Sequence, residues 1–227
     1  MTRSLDEPLV RPFGDTAVLV SFREAIDPAV NDRVHALTRR IRRLAASDDP
    51  FGSPVPAYSS VLVPFDPLRV DADEAVDHVR VLASSDDDRT VEGAEPNRTI
   101  ELPTRYGGDA GPDIDEVAGW AGLTTSDVVE LHASVPYRVY MLGFAPGFAY
   151  LGRVPAAIAT PRRDSPRARV VAGSVGIAGE QTGVYPFESP GGWQLIGLTD
   201  AVLWDVRRDP PALLAPGDTV RFVPVKS

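Results

Sequence analysis

The chain changes character at an acidic segment with few apolar residues, which runs from Ser84 to Asn97. Such a segment buries too little apolar surface to offset the entropy lost on ordering it, so it predicts a linker. Strand and helix patterns alternate before the segment, whereas short strand patterns dominate after it. The sequence therefore predicts an α+β protein with two domains, residues 1–90 and residues 98–227.

The part before the linker alternates between strands and amphipathic helices. A strand pattern at 17–22 is followed by a helix that begins at Asp27-Pro28, where a capping residue precedes proline. The apolar residues of this helix recur at steps of three and four and so lie on one face. A second strand pattern, at 59–63, precedes a second helix whose start is marked by Asp71 in a capping-box pattern. This order predicts a compact α/β sandwich.

The part after the linker is rich in short strands. It opens with a strand pattern and two short helices, 113–121 and 126–132, and then continues as β-like runs bounded by Gly, Pro and Asp. These runs are 137–142, 193–196, 201–204 and 219–223. Short strands with turn residues between them and few helices predict a closed or nearly closed β-barrel.

Composition excludes several classes of function. The net charge is −9, with 32 acidic residues against 23 Lys and Arg, which argues against a protein that binds nucleic acid by neutralising phosphates. There is no cysteine, so thiol nucleophiles, disulfides and iron–sulfur clusters are excluded. The sequence contains no uninterrupted apolar stretch long enough to cross a bilayer and no signal-peptide pattern, so we expect a cytoplasmic protein without membrane contact.

The stretch from Gly143 to Gly192 is the candidate site. It holds nine of the 19 glycines and six of the 22 prolines of the chain. Glycines allow close backbone approach and prolines fix it, so this stretch could form a rigid cleft lined by backbone, although a tightly turned barrel would have the same composition. Polar and aromatic side chains lie among these glycines, and arginines, an amide and aromatic rings together suit a small planar anion. They are Phe144, Phe148, Tyr150, Arg162, Arg163, Arg167, Gln181, Thr182, Tyr185, Glu188, Ser189, Trp193 and Gln194.

Common catalytic signatures are missing from the chain. It has no P-loop, no Gly-x-Ser-x-Gly elbow and no His-Glu-x-x-His metal pair, and we predict no metal site. The three histidines, His35, His78 and His132, lie far apart on predicted helices, where surface or structural roles are expected. Such an incomplete set of catalytic groups suggests that a partner supplies the rest.

Long ordered motifs give a family resemblance. The run from Tyr140 to Gly152 resembles the core motif of the family of the 5-oxoprolinase B subunit, kinase A inhibitor and allophanate hydrolase subunit 1. Further matching motifs follow in the family's order and cover essentially the whole chain. They are Gly14–Ala17, Tyr58–Ser60, Tyr106–Gly108, Ala159–Arg163, Ala172–Gly179, Gln181–Gly183, Tyr185–Gly197 and Pro216–Asp218.

A few positions depart from that resemblance. Ala149 and Val171 stand where the family usually has proline, and Arg153 and Glu180 stand where it usually has glycine. An added carboxylate beside Gln181 would change the preference of a ligand cleft for anions, so Glu180 is the departure with the largest expected effect.

The resemblance implies a fold and an activity. It implies an N-terminal ferredoxin-like α/β sandwich and a C-terminal cyclophilin-like β-barrel without prolyl isomerase activity. It further implies the B subunit of an ATP-dependent 5-oxoprolinase, which opens 5-oxoproline to glutamate with an A subunit and with a C subunit that is related to allophanate hydrolase subunit 2. We expect ATP at a shared interface between these chains and no activity of this chain by itself. The family's other branches imply two alternatives: a carboxyltransferase that works with biotin, and an inhibitor of a sensor histidine kinase.

The same reasoning assigns candidate roles to individual residues. As catalytic residues we predict Arg162 and Arg163, which would stabilise charge on oxygen or the substrate carboxylate, and Glu188 as a proton carrier. Gln181 would orient the amide, and Tyr150 and Tyr185 would form walls. The predicted substrate-binding residues are Phe144, Pro146, Gly147, Tyr150, Gln181, Tyr185 and Ser189.

Overall fold

The chain divides into two units, Met1–Glu95 and Pro96–Ser227. The structure is a computed structural model, and it describes residues 7–23, 26–45, 50–84 and 98–226. The predicted linker Ser84–Asn97 lies outside the described residues except for Ser84, which ends a helix. The predicted domain limits at residues 90 and 98 stay predictions, because residue 90 lies outside the described part.

The first unit is an antiparallel sheet with helices on one face. Its strands lie in the order β1-β2-β4-β3, and each neighbouring pair is antiparallel. The elements are β1 (Leu9–Pro12), β2 (Ala17–Ser21), α1 (Pro28–Ala45), β3 (Val55–Pro56), β4 (Ser60–Pro64) and α2 (Ala72–Ser84). The sequence patterns predicted β2, β4 and both helices, and they missed β1 and β3.

Both helices of this unit begin where the sequence predicted. The Asp27 carboxylate accepts a hydrogen bond from the Ala29 amide at 2.8 Å, and the Asp71 carboxylate accepts one from the Glu74 amide at 2.8 Å. These bonds satisfy amide groups that the first helical turn leaves without partners. The apolar face of α1 then packs with the inward residues of the sheet in one core, to which α2 also contributes.

The second unit is a closed seven-stranded barrel. Its strands follow the order β10-β7-β6-β13-β5-β12-β9, and β9 pairs with β10 to close it. The barrel is mixed, because β13 runs parallel to β5 while the other pairs are antiparallel. The barrel strands are β5 (Thr99–Tyr106), β6 (Tyr137–Leu142), β7 (Ala149–Gly152), β9 (Ser174–Ala178), β10 (Gln181–Val184), β12 (Gln194–Leu198) and β13 (Thr219–Pro224). The closed barrel and the α+β class are confirmed.

Helices and a small sheet accompany the barrel. Helices α3 (Ile114–Ala121) and α4 (Thr125–Ser134) add apolar residues to the barrel core, and β8 (Arg167–Val170) pairs with β11 (Ser189–Gly191). Helix α4 begins one residue before the predicted start because Thr124 and Asp127 form a complete capping box.

A chain of hydrogen bonds fixes His132 inside the second unit. The Thr182 hydroxyl donates to the Gly176 carbonyl at 2.9 Å, so it accepts from His132 Nε2 at 2.9 Å. His132 Nδ1 then accepts from the Tyr106 hydroxyl at 2.8 Å. Because the ring is fully buried, desolvation lowers the pKa of His132 to about 3. His132 therefore has the structural role that the sequence predicted.

One predicted strand is wrong. Residues 201–204 form a bend with an isolated bridge between Trp204 and Ala212. The partner segment contains Pro210 and Pro211, which have no amide proton to donate, so a regular ladder cannot continue there. Among the described residues, no helix combines the length and the apolar character that a membrane crossing requires.

Candidate functional site

The loop between β6 and β7 takes a tight conformation that places Phe144 outward. The Gly143 amide donates to the Phe148 carbonyl at 3.1 Å, and Gly147 has a φ of 78°. A Cβ atom at Gly147 would lie 3.1 Å from the Leu203 carbonyl oxygen, so the backbone passes too close for a larger residue. Phe144 has a φ of 66° and is 64% exposed. A bulky residue in this left-handed region is unusual, and strain of this kind is concentrated at functional sites.

Five aromatic rings, which we call the aromatic cluster, pack beside this loop. Phe148 is central: its ring centroid lies 4.9 Å from that of Tyr150, 5.4 Å from that of Tyr185 and 5.5 Å from that of Trp193. The Phe144 ring meets Phe148 edge-on at 5.4 Å. Phe148, Tyr185 and Trp193 are buried, whereas Tyr150 is half-buried. The cluster thus has a rigid base and two rings that remain accessible, Phe144 and Tyr150.

Paired glycines make room for this cluster on the outer wall of the barrel. Gly183 of β10 lies directly opposite Gly176 of β9. A Cβ atom at Gly183 would lie 3.1 Å from Trp193 Cζ3 and 3.2 Å from Phe148 Cζ. The neighbours Thr182 and Ile177 point to the other side, because side chains alternate along a strand. The indole can therefore lie close to the strand backbone only because both wall positions are glycine.

Arg162 supplies positive charge to the aromatic cluster. Its Cζ atom lies 6.0 Å from the centre of the Trp193 ring. Burial raises the pKa of both Tyr150 and Tyr185, and the charge of Arg162 acts in the opposite direction on both hydroxyls. A cation near two phenols and an indole suits a small anionic ligand with a flat apolar part.

Arg163 makes different contacts from its neighbour. Its Nη1 lies 3.1 Å from an Asp113 carboxylate oxygen and 3.4 Å from one of Glu116. Its backbone amide donates to the Gly192 carbonyl at 2.8 Å. Arg167 binds the same Asp113 oxygen at 2.5 Å. The two consecutive arginines predicted as a catalytic pair therefore belong to separate sets of contacts.

Comparison with known proteins gives the family. The family described as carboxyltransferase domain, subdomain C and D, matches residues 8–214. The chain belongs to this carboxyltransferase-domain family. It is 45% identical to a protein of Escherichia coli O157:H7 that is named as the B subunit of 5-oxoprolinase, over 94% of each chain. A protein of the same name from Bacillus subtilis strain 168 is 41% identical over 94% of this chain and 91% of its own length. The solved structure of the conserved uncharacterized protein PH0987 from Pyrococcus horikoshii covers 96% of this chain and 98% of its own, with 46% identity and a TM-score of 0.56.

The structure brings together some of the residues that the family resemblance suggested. Phe144, Tyr150, Tyr185 and Arg162 surround the Phe148 and Trp193 rings. Gly147 shapes the loop, and Pro146 is an exposed loop residue beside it. Gln181 starts β10 two residues before Gly183, so the two residues share the outer face of the barrel wall.

Other predicted residues lie in different surroundings. Glu188 is 54% exposed and forms an ion pair at 2.7 Å with Arg169, which is 72% exposed. The Ser189 hydroxyl is buried and has no hydrogen-bond partner among the described residues. The chemical roles given to Glu188 and Ser189 stay predictions.

Two of the departures from the family pattern contact each other. Arg153 Nε lies 3.3 Å from a Glu180 carboxylate oxygen, and both side chains are more than half exposed. The Val154 amide also donates to the Glu180 carbonyl at 2.9 Å. The positive charge of Arg153 thus offsets the carboxylate that the sequence placed beside Gln181, and the expected change in anion preference is reduced accordingly.

Sequence patterns did not predict that Asp113 of this carboxyltransferase-domain protein binds two arginines. The sequence marked Asp113 only as the start of a short helix. Its arginine partners lie 50 and 54 residues further along the chain, so no local pattern could reveal the contact. Covariation between position 113 and positions 163 and 167 among relatives is the sequence signal that would reveal this contact.

Proposed function

We propose that the chain is the B subunit of an ATP-dependent 5-oxoprolinase, which helps to open 5-oxoproline to L-glutamate with the A and C subunits. The observation that carries the proposal is the 45% identity to a protein named as that B subunit along nearly the full length of both chains. The word subunit in that name supports a heteromeric complex. We place this complex in the cytoplasm.

The chemistry of the candidate site suits this substrate. 5-Oxoproline combines a flat five-membered lactam with a carboxylate. The accessible Phe144 and Tyr150 rings can contact the flat face of the lactam. Arg162, whose Cζ lies 6.0 Å from the centre of the Trp193 ring in the same cluster, would bind the carboxylate. Gln181, on the same face of the barrel wall as Gly183, would bond the lactam amide.

The reaction needs activation of a stable amide. Resonance makes the lactam carbon a poor electrophile, and ATP supplies a phosphoryl group that converts the lactam oxygen into a leaving group. ADP leaves when the phosphoryl group is transferred. Water then adds to the carbon, the ring C–N bond breaks and the nitrogen takes up a proton, which leaves the new carboxyl group as an acyl phosphate. A second water cleaves the acyl phosphate to glutamate and inorganic phosphate. Negative charge grows on oxygen during this sequence, and a fixed arginine lowers the free energy of such a state.

The catalytic roles of Arg163 and Glu188 remain proposals, and they depend on the ion pairs that these side chains form. Both are engaged in ion pairs, Arg163 with Asp113 and Glu188 with Arg169. Glu188 could carry a proton only after its contact with Arg169 opens. Because the pair is exposed, the contact is weak and a docking partner could replace it.

A partner is needed to complete the site. The accessible rings, Phe144 and Tyr150, and the cation Arg162 lie on the outer wall of the barrel, where water reaches them. ATP must be protected from hydrolysis that is not coupled to the substrate, so we expect another polypeptide to cover this wall. We therefore expect the isolated chain to be inactive and ATP to bind at the shared interface.

The finer fold relationships are also proposals. A ferredoxin-like first unit is supported by the sheet order β1-β2-β4-β3, with α1 after β2 and α2 after β4. A cyclophilin-like second unit is supported by the closed mixed barrel and its accompanying helices α3 and α4.

The test is reconstitution of the complex with purified A and C subunits. We expect glutamate to form from 5-oxoproline only when ATP and all three proteins are present. Arg162→Ala should lower kcat/KM at least about tenfold, because an ion contact to the substrate is lost. Arg207→Ala is the matched control, since Arg207 is 86% exposed and pairs with the nearby Asp205. Undiminished turnover of the Arg162→Ala complex would remove the role given to Arg162.

A carboxyltransferase is the second candidate, because the matching family is named for that activity. This reaction needs a biotinylated carrier protein in place of the A subunit. Carboxyl transfer to urea in the presence of that carrier, together with no glutamate release from 5-oxoproline, would favour this alternative over the first proposal.

A further inference from the structure

Asp113 is a buried carboxylate with several partners. Its side chain is 4% exposed. One oxygen accepts from Arg163 Nη1 at 3.1 Å and from Arg167 Nη2 at 2.5 Å, and the other accepts from the Leu195 amide at 2.7 Å. The Asp113 amide in turn donates to the Leu195 carbonyl at 2.9 Å. This single residue therefore ties the start of α3 to β12 and to two arginines.

The contact with Arg163 also determines the place of Arg162. Asp113 holds the Arg163 side chain, and the Gly192 carbonyl holds its backbone amide at 2.8 Å. With residue 163 fixed at both ends, the backbone from which the Arg162 side chain extends is fixed as well. The Arg162 guanidinium lies 6.0 Å from the centre of the Trp193 ring, and Trp193 directly follows Gly192.

The contact with Arg167 links Asp113 to the strand pair that lies beside Tyr185. Arg167 lies opposite Gly191 in the β8–β11 pair, and Gly191 is in contact with the Tyr185 ring. Burial has the larger effect and raises the pKa of Tyr185, whereas the positive charge of Arg167 acts to lower it. One carboxylate thus binds Arg167 and also binds Arg163, which follows Arg162, and the charges of Arg162 and Arg167 both act on Tyr185.

Removing the charge of Asp113 would release these arginines. A buried carboxylate is stable only when it is paired, and the two guanidinium groups in turn depend on it. Arg163 Nε and Arg167 Nη1 are already buried without a hydrogen-bond partner among the described residues. Without the carboxylate, both side chains would gain hydrogen bonds by turning toward water.

We propose that Asp113 is a positioning residue of the candidate site, which holds Arg162 and Arg167 in place for a ligand that carries a carboxylate. The inference rests on the proposed function for the identity of that ligand, 5-oxoproline. Asp113 itself does not touch the ligand, since its oxygens are occupied by the arginines and by the Leu195 amide.

The test compares Asp113→Asn with Asp218→Asn in the reconstituted complex. Asp218 is a close match: its side chain is 6% exposed, it pairs with Arg98 Nη2 at 2.5 Å, and it accepts from the Ala215 amide at 2.9 Å. Both variants should lose stability, since each removes the charge of a buried carboxylate that binds an arginine and a backbone amide. Only Asp113→Asn should raise the KM for 5-oxoproline, by about 10- to 100-fold, while kcat changes less. An unchanged KM, or equal KM changes in both variants, would overturn the proposal.

A second readout does not depend on activity. In a chain whose other tryptophans are replaced, Trp120→Phe and Trp204→Phe, the fluorescence emission reports Trp193 alone. Arg162→Ala should shift this emission by removing the nearby cation, and Asp113→Asn should reproduce the shift, whereas Asp218→Asn should not. This result would support the positioning role even if 5-oxoproline proved not to be the substrate. Unshifted emission in Asp113→Asn, with a shift in Arg162→Ala, would refute it.

A second variant covers the case in which Asp113→Asn does not fold. Arg167→Gln leaves Asp113 paired with Arg163 and removes one of the two cations beside Tyr185. It should raise the KM at least about tenfold, with Arg98→Gln as the matched control. Equal KM values for Arg167→Gln and Arg98→Gln would contradict the proposal.

Discussion

A Cβ atom placed on Gly191 would lie 2.3 Å from the hydroxyl oxygen of Tyr185. The Tyr185 ring is buried against Phe148. The missing side chain of Gly191 is what allows the phenol to occupy this place. The small β8–β11 sheet thus forms one boundary of the aromatic cluster.

Gly191→Ala should therefore disturb both stability and the site. The added methyl group forces the Tyr185 ring or the β11 backbone to move, which should cost about 1–3 kcal/mol of unfolding free energy, as overpacking does elsewhere. The KM of the reconstituted complex should rise as well, since a wall of the site is displaced. Urea unfolding and steady-state kinetics measure the two effects.

Gly119→Ala is the control for this glycine. Gly119 lies inside α3 with nothing within 4 Å of a Cβ position. Alanine there should stabilise the chain by about 0.5–1 kcal/mol, because it favours helix more than glycine does. A Gly191→Ala variant as stable as the Gly119→Ala variant would show that the close approach to Tyr185 is absent in solution.

The buried His132 should make the protein sensitive to acid. Its pKa falls from 6.5 in an exposed setting to about 3 through desolvation. Between these values the unfolded chain binds a proton that the folded chain does not, so the contribution of His132 to stability is lost as the pH falls below 6.5. The unfolding free energy should decrease by up to about 1.4 kcal/mol per pH unit from this residue alone.

Denaturant unfolding at several pH values from about 7 down to about 5 measures this slope. Carboxyl groups also titrate on acidification, but they contribute equally to the parent and to a variant at position 132. His132→Gln keeps a hydrogen-bonding side chain but cannot titrate. The variant should be less stable than the parent at neutral pH, with a shallower loss of stability on acidification. Parallel curves for parent and variant would mean that His132 is not the group responsible.

Phe144 offers a test that separates backbone strain from ligand contact. Its φ of 66° favours glycine, whereas alanine at the same position keeps the strain of an L-residue in the left-handed region. Phe144→Gly should therefore be more stable than Phe144→Ala by about 1 kcal/mol. Both variants lose the exposed ring, so both should raise the KM for 5-oxoproline by a similar factor.

Thermal or urea unfolding ranks the two Phe144 variants, and kinetics of the complex compares their KM values. Equal stability of the glycine and alanine variants would show that the loop relaxes in solution. A KM equal to that of the parent chain would remove Phe144 from the substrate-binding residues.

Local sequence patterns predicted much of the fold. Helix starts at Asp27 and Asp71 depend on a side chain and amides within three residues, so the pattern alone reveals them. Four of the seven barrel strands, β5, β6, β12 and β13, were predicted for the same reason, because alternation and turn residues are local, whereas β7, β9 and β10 in the glycine-rich stretch were missed. The predicted strand at 201–204 failed because strand formation depends on the partner, and the partner segment contains prolines that the pattern of 201–204 does not show.

The candidate site divides in the same way. The sequence by itself determined which groups are available: a stretch dense in glycine and proline, with aromatic residues and Arg162 within it, in motifs that resemble one family. Only the tertiary structure decided that Arg163 and Arg167 share Asp113, that Arg153 offsets Glu180, and that Gly183 lies beneath Trp193. Ion pairs and close packing depend on distances between atoms that barrel closure brings together from distant parts of the chain, and no local pattern carries those distances.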